Sequence, residues 1–210
     1  MGHVRRAGVV GTISALTIAG LAAPAAAYPP PPPDEAQARQ ELAALPVTSE
    51  GSMSGYDRDL FPHWSSQGNN CDTREVVLER DGSGVTSGGD CYPDSGSWYS
   101  VYDATWTSEP SEVHIDHLVP LAEAWRSGAD SWSTYQREQF ANDLGNPQLI
   151  AVSDNSNLSK SDSDPAEWQP TNTSVRCIYA RQWIHVKYVY GLSVNYAEES
   201  ALDGMLDSYC

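Results

Sequence analysis

The chain has 210 residues, four cysteines and a formal charge of −16 at pH 7. This length suits one domain with a sizeable core. The acidic excess favours solubility and argues against nucleic-acid binding through the overall field of the protein, so a nucleic-acid site would have to be local.

The first 27 residues are predicted to be a signal peptide. Arg5 and Arg6 precede an apolar segment over 9–21, and three consecutive alanines end at position 27. An uncleaved membrane anchor is the alternative, but the apolar segment is short for one. Cleavage would leave about 180 residues with a charge of about −18. We therefore expect a secreted protein, monomeric and without a membrane contact.

Residues 28–55 are predicted as a spacer rich in Pro, Ser and Gly, and residues 56–210 as the folded domain. Within the spacer, 34–45 has a helical composition but no clean apolar stripe. Asp72 and Glu75 form a capping pair that predicts a helix from about Thr73.

The centre of the domain is predicted to alternate between strands and helices. Short strands in a meander are expected over 85–106, and a strand over 112–119 that Pro120 ends. The remaining expected elements are helices at 121–126 and 131–144, a strand at 148–152, a helix at 154–160, a helix from about 175 to 190 that Gly191 stops, and a last helix that Asn195 and Glu198 open.

The four cysteines predict two disulfides in an exported protein. Three pairings are possible. We favour Cys71–Cys91 and Cys177–Cys210, because each closes a moderate loop within one region.

Residue types suited to phosphodiester hydrolysis follow one another along the chain. Asp116 and His117 end a predicted strand, Asn146 precedes the next strand, and Asn157 and Lys160 lie in the following helix. A histidine can deprotonate water near neutral pH, and an aspartate is a suitable ligand for a hard divalent cation. Because adjacent strand residues point to opposite faces, Asp116 and His117 can converge only where the strand bends or ends.

These motifs resemble the HNH nuclease pattern: Ile-Asp-His-Leu-Val-Pro at 115–120, Asn-Pro-Gln-Leu-Ile at 146–150 and Asn-Leu-Ser-Lys at 157–160. The resemblance is closer still to secreted actinobacterial HNH-family proteins, whose catalytic domain is similar to the C-terminal domain of GmrSD-type restriction enzymes. It extends over roughly 56–210. It implies an α+β fold with a ββα-metal core, additional helices and a disulfide-held N-terminal subdomain.

By position, the resemblance implies that His117 is the general base, Asp116 a metal ligand and Asn146 an orienting residue. Asn157 occupies the last ligand position, where the family commonly has His, and Asn155 is the competing candidate. The expected activity is endonuclease cleavage of DNA, or of RNA. The expected cofactor is Mg²⁺, Mn²⁺ or Ca²⁺ rather than Zn²⁺.

The few cations of the domain are also candidates. Arg58, Arg74 and Lys160 could each hold a phosphate, or could form a salt bridge with one of the many carboxylates. Glu123 could be a further ligand, but its helix predicts a surface position. His114 could support Asp116 from the same strand face or face solvent.

Three other kinds of function fit the same residues. A zinc hydrolase could use His114, Asp116 and His117 as ligands, and a non-catalytic module could bind wall polysaccharide through exposed aromatic residues. A nuclease fold that has lost its activity could instead bind a partner. Most of the seven tryptophans are expected in the core.

Overall fold

A computed structural model describes residues 1–2 and 29–210. The predicted signal peptide therefore lies almost entirely outside the described residues. Seven helices are described: α1 (Glu35–Ala44), α2 (Thr73–Asp81), α3 (Leu121–Arg126), α4 (Thr134–Ala141), α5 (Asp154–Lys160), α6 (Arg176–Tyr190) and α7 (Tyr196–Tyr209). Seven strands accompany them: β1 (Ser66–Gly68), β2 (Cys71–Asp72), β3 (Gly82–Ser87), β4 (Pro93–Ser100), β5 (Thr105–Thr107), β6 (Val113–His117) and β7 (Leu149–Ser153).

The strands form three small antiparallel sheets, which confirms the α+β class. The meander predicted over 85–106 is the sheet β3-β4-β5. Strands β6 and β7 pair with each other although residues 118–148 separate them, with Asp116 opposite Ile150 and His117 opposite Leu149. Helix α5 follows β7 directly and packs on β6. A two-stranded sheet and one helix thus form a unit within the larger fold.

The predicted helix boundaries follow from local capping. Asp72 and Glu75 exchange the two hydrogen bonds of a capping box at the start of α2. Asn195 and Glu198 do the same for α7. Gly191 ends α6 with a φ of 63°, in the left-handed region that glycine adopts without a steric penalty.

Two hydrophobic clusters lie on opposite faces of the β6–β7 pair. The larger contains side chains from α1, α3, α4, α6 and α7, together with Ile150 and Val152 of β7. The smaller contains Val113, Ile115, Leu149 and other side chains of α2, β4 and β7. Because both faces of the strand pair are covered, its end is held rigidly.

The segment predicted as a spacer is partly built into the domain. Helix α1 packs on α6 and α7, and its side chain Leu42 lies in the larger cluster. Val47 forms a parallel bridge with Val194. The composition of the segment gave no amphipathic stripe, because only a few of its side chains reach the core.

Both predicted disulfides, Cys71–Cys91 and Cys177–Cys210, are present. The first ties the start of α2 to the loop before β4, and the second ties the start of α6 to the end of the chain. No helix in the described part of the chain is long and apolar enough to span a membrane.

Candidate active site

Strand β6 and helix α5 bring four of the predicted residues together. His114 and Asp116 are two positions apart on the strand and share the face that meets α5, while Asn157 and Lys160 are nearly one turn apart on the helix. Two side chains of the strand therefore lie opposite two side chains of the helix. Asn157 Nδ2 lies 3.2 Å from His114 Nδ1, and Lys160 Nζ donates to Asp116 Oδ1 at 2.9 Å.

Asp116 is held by two donors in a buried site. Lys160 contacts one carboxylate oxygen, and the Tyr102 hydroxyl donates to the other at 2.7 Å. Burial raises the pKa of Asp116, although the ammonium and the hydroxyl oppose this effect. Burial likewise lowers the pKa of Lys160 against the attraction of Asp116. The two groups therefore depend on each other for their charged forms.

Lys160 is fully buried, and its ammonium also donates to the His117 carbonyl at 3.1 Å. The salt bridge to a carboxylate, one of the two roles expected of Lys160 from the sequence, is present. Its side chain fixes the end of β6 on α5. Tyr102, which the sequence did not single out, is the other holder of Asp116.

The His117 ring is fixed by a backbone carbonyl. Its Nε2 lies 2.9 Å from the Ala141 carbonyl oxygen, which can only accept, so Nε2 carries the proton. Burial lowers the pKa of His117 to about 3, so the ring is neutral at neutral pH. The neutral tautomer leaves a lone pair on Nδ1, which is one requirement for a general base, whereas the low pKa makes the ring a weak base.

Trp64 covers the same imidazole. The two ring centroids are 5.5 Å apart with planes 30° from each other. Trp64 has a φ of 59°, a conformation uncommon for a bulky residue. Such local strain of about 1–3 kcal/mol persists only where the surroundings enforce it, and it is frequent at functional sites.

A cavity of about 440 Å³ opens beside these residues. Asp116, His117 and Asn157 line it from β6 and α5, and Tyr56 and Arg58 line it from the preceding segment. Burial is the main cause of the low pKa of His117, and the positive charge of Arg58 lowers that pKa further. The structure therefore brings the His117 imidazole, the Asp116 carboxylate, the Asn157 amide and the Arg58 guanidinium to a single cavity.

Three other candidates lie elsewhere. Asn155 is exposed and lines a different cavity. Arg74 donates to the Val113 carbonyl and stacks on Tyr92. Asn146 bonds to Asp143 within its own turn. Asn157, and not Asn155, thus shares a cavity with Asp116 and His117.

Gln148, rather than Asn146, contacts the loop after β6. Its side chain accepts from the Val119 amide at 3.1 Å and donates to the Val119 carbonyl at 2.8 Å, and it is fully buried. These bonds hold the chain between His117 and α3. The sequence showed Gln148 only as the start of a predicted strand.

The prediction of a surface position for Glu123 is wrong. Five consecutive residues of α3, including Glu123, are buried because other elements surround this short helix. Glu123 accepts from Lys187 at 2.7 Å and from Arg126. His114, for which solvent exposure was one expectation, is partly buried and contacts Asn157.

The zinc ligand set is not assembled in this arrangement. Within residues 29–210, no group of three or more His, Cys, Asp or Glu side chains is placed to hold a metal ion. His114 and His117 point their bonded nitrogens at Asn157 and Ala141. Asp116 and Asn157 bring oxygen donors to the cavity, and His117 Nδ1 is a nitrogen donor beside them.

Comparisons with known proteins agree with this picture. A protein from Arthroderma benhamiae described as an uncharacterized secreted protein is 51% identical over 197 residues, which cover 93% of this chain and 96% of that protein. With its two disulfides, the present chain is likewise secreted. No solved structure matches.

The model of the GmrSD restriction endonuclease C-terminal domains matches residues 91–202, which include β6, β7 and α5. The chain therefore belongs to the family of GmrSD restriction endonuclease C-terminal domains.

Proposed function

We propose that this secreted protein is a metal-dependent endonuclease of the HNH type that hydrolyses phosphodiester bonds in DNA, or in RNA. The observation that carries the proposal is the shared cavity of His117, Asp116, Asn157 and Arg58 at the end of the β6–β7–α5 unit. Because the chain belongs to a family of restriction endonuclease domains, the order of two paired strands and one helix supports its interpretation as a ββα-metal core.

The residues fit an oxygen-bound divalent cation. Asn157 directs its amide nitrogen at His114, which leaves its amide oxygen without a protein donor among the described residues. Lys160 donates to one carboxylate oxygen of Asp116, and Tyr102 donates to the other. Because a carboxylate has about four acceptor positions, Asp116 can still bind a cation. Asp116 and Asn157 would hold the ion, and water and phosphate would complete its shell, as Mg²⁺ prefers.

When bound, the cation would polarise the phosphate and stabilise the leaving oxygen. His117 Nδ1 would take the proton of the attacking water, with Nε2 kept on Ala141. Arg58, which also lines the cavity, would bind a phosphate oxygen. Lys160 would act as a positioning residue through Asp116 and the His117 carbonyl. Because its charge offsets that of Asp116, we expect weak metal binding without substrate.

Nicking of supercoiled plasmid tests the proposal. Activity is expected with Mg²⁺, Mn²⁺ or Ca²⁺ more than with Zn²⁺, and excess EDTA should abolish it. His117→Ala should lower the rate by about 10²–10⁴-fold, because a positioned base contributes this much. The matched control is His185→Gln, whose histidine contacts Glu41 away from the cavity.

Metal titration by calorimetry separates the base from the ligands. His117→Ala should leave metal affinity unchanged, whereas Asn157→Ala should weaken it and the neighbouring control Asn155→Ala should not. Full nicking in excess chelator, or a wild-type rate for His117→Ala, would refute the proposal. Loss of metal binding in His117→Ala would instead support the zinc hydrolase, and no cleavage under any condition would support a binding module.

A further inference from the structure

A second cavity, of about 190 Å³, lies beside β4, β5 and the start of β6. It shares no lining residue with the candidate active site. Trp106, Ser100, Asp103, Glu112 and Asn155 are among the residues that line it. The nuclease chemistry proposed above uses none of these side chains.

An exposed tryptophan forms one wall of this cavity. Trp106 is 65% exposed, although it lies on strand β5 in regular pairing with β4. The Tyr99 ring packs against it, with centroids 5.1 Å apart. A large aromatic side chain held on a strand is a rigid contact surface, since little conformational entropy is lost when a ligand covers it.

Polar groups that accept hydrogen bonds surround the indole. Asp103 accepts from Ser153 and Thr105, and Glu112 accepts from Thr107. The Ser100 side chain, which is 4% exposed, lies beside Asp103 in the same cavity.

The charges of the cavity select among ligand classes. Its lining contains Asp103, Glu112 and Asp154 and no Lys or Arg, which disfavours phosphates and nucleic acid. The carboxylates do not converge on a metal position, since the described residues contain no group of three or more His, Cys, Asp or Glu that could hold a metal ion. A neutral molecule with hydroxyl donors and an apolar ring face satisfies both the acceptors and the indole.

We propose that this cavity binds a neutral saccharide, with one pyranose ring packed on Trp106 and its hydroxyl groups donating to Asp103 and Glu112. The site is independent of the proposed nuclease activity. It would hold the secreted protein on a polysaccharide surface while the active-site cavity stays open. An extracellular location makes such a ligand accessible.

Titration with cellohexaose, laminarihexaose and chitohexaose, followed by tryptophan fluorescence and calorimetry, tests the site. At least one of these neutral hexasaccharides should bind, and Trp106→Ala should weaken binding by about tenfold or more. Tyr135→Ala is the matched control, because Tyr135 is 67% exposed on α4, outside this cavity. Both variants should keep the plasmid-nicking rate.

Two outcomes would overturn the proposal. One is the absence of binding for all three hexasaccharides, or equal binding by wild type and Trp106→Ala. The other is that a hexanucleotide binds and that Trp106→Ala abolishes its binding, which would make the cavity a nucleic-acid site. Because Trp106 is largely exposed, its replacement is expected to leave the thermal midpoint unchanged, and this measurement accompanies each titration.

Discussion

Two buried lysines approach the same tryptophan and differ in what surrounds them. Lys160 Nζ and Lys187 Nζ lie 5.9 and 5.8 Å from the ring centroid of Trp183. Lys160 pairs with one carboxylate, Asp116, which lines the active-site cavity. Lys187 pairs with two, Glu123 and Glu198, both at most 1% exposed. The ion pair of Lys160 therefore lies at the candidate active site, whereas the ion pairs of Lys187 join helices α3, α6 and α7.

The two networks also differ in the number of charged groups. Two carboxylates share Lys187, and burial raises the pKa of Glu198 to about 7 even though Lys187 opposes this. Arg126 adds a second cation next to Glu123. Near Asp116 the only compensation described is Lys160, with a hydroxyl from Tyr102. Removing Lys187 therefore affects two buried carboxylates, whereas removing Lys160 affects one.

The largest expected effect is on stability. Lys187→Met should lower the free energy of unfolding by about 3–5 kcal/mol, because it removes the common partner of two buried carboxylates and leaves Glu198 without a cation. Lys160→Met should cost less, since one carboxylate is stranded and the cavity admits water. Urea denaturation of both variants measures the difference. The nicking rate per folded molecule should fall only in Lys160→Met; an equal fall in both variants would break the comparison.

The next effect is a pH dependence with opposite signs in the two regions. His117 has a folded pKa of about 3 against 6.5, so its contribution to stability is present above pH 6.5 and is lost as pH falls towards 3. Glu198 has a folded pKa of about 7 against 4.5, so its contribution is present below pH 4.5 and is lost as pH rises through 7. Between pH 4.5 and 6.5 the two slopes, each about 1.4 kcal/mol per pH unit, should nearly cancel.

Single variants should uncover each slope. His117→Asn should make stability fall as pH rises from 4.5 to 6.5, and Glu198→Gln should make it rise over the same range. Urea midpoints at four pH values in this window measure both. If neither variant differs from the wild type in slope, the pKa values of His117 and Glu198 are not shifted by folding.

The smallest effect is expected from Tyr102→Phe. The change removes one hydrogen bond to Asp116 and keeps the ring, so the free energy of unfolding should fall by about 1.5–3 kcal/mol at most. Thermal and urea unfolding measure it, with the exposed Tyr135→Phe as control. A loss larger than that of Lys160→Met would mean that the hydroxyl, rather than the ammonium, is the main support of Asp116.

Local signals were sufficient for the secondary structure. Asp72 with Glu75, Pro120 and Gly191 act on neighbouring backbone, so the sequence alone placed the start of α2, the end of β6 and the end of α6 close to their observed positions. The pairing of the cysteines was also predictable, because each bridge stays within one region.

Side-chain partners across the fold were not predictable from local signals. His117 depends on the Ala141 carbonyl, 24 residues away, and Glu123 on Lys187, 64 residues away. Every residue has a backbone carbonyl, so the residue type at position 141 does not indicate a contact with His117. An acidic residue in an Ala-rich helix is usually exposed, so the burial of Glu123 was not expected. The family resemblance supplied the candidates at 116, 117 and 157, and only tertiary packing separated Asn157 from Asn155.

The separation of β6 from β7 along the chain has a consequence for folding. Bringing the ends of the intervening segment of about 30 residues together costs roughly 3 kcal/mol of loop entropy, which the two-stranded pair alone does not recover. The pair can persist only once α3 and α4 have docked in the larger cluster. The candidate site should therefore appear late in folding, and its amides should exchange hydrogen with solvent through global unfolding rather than through local fraying.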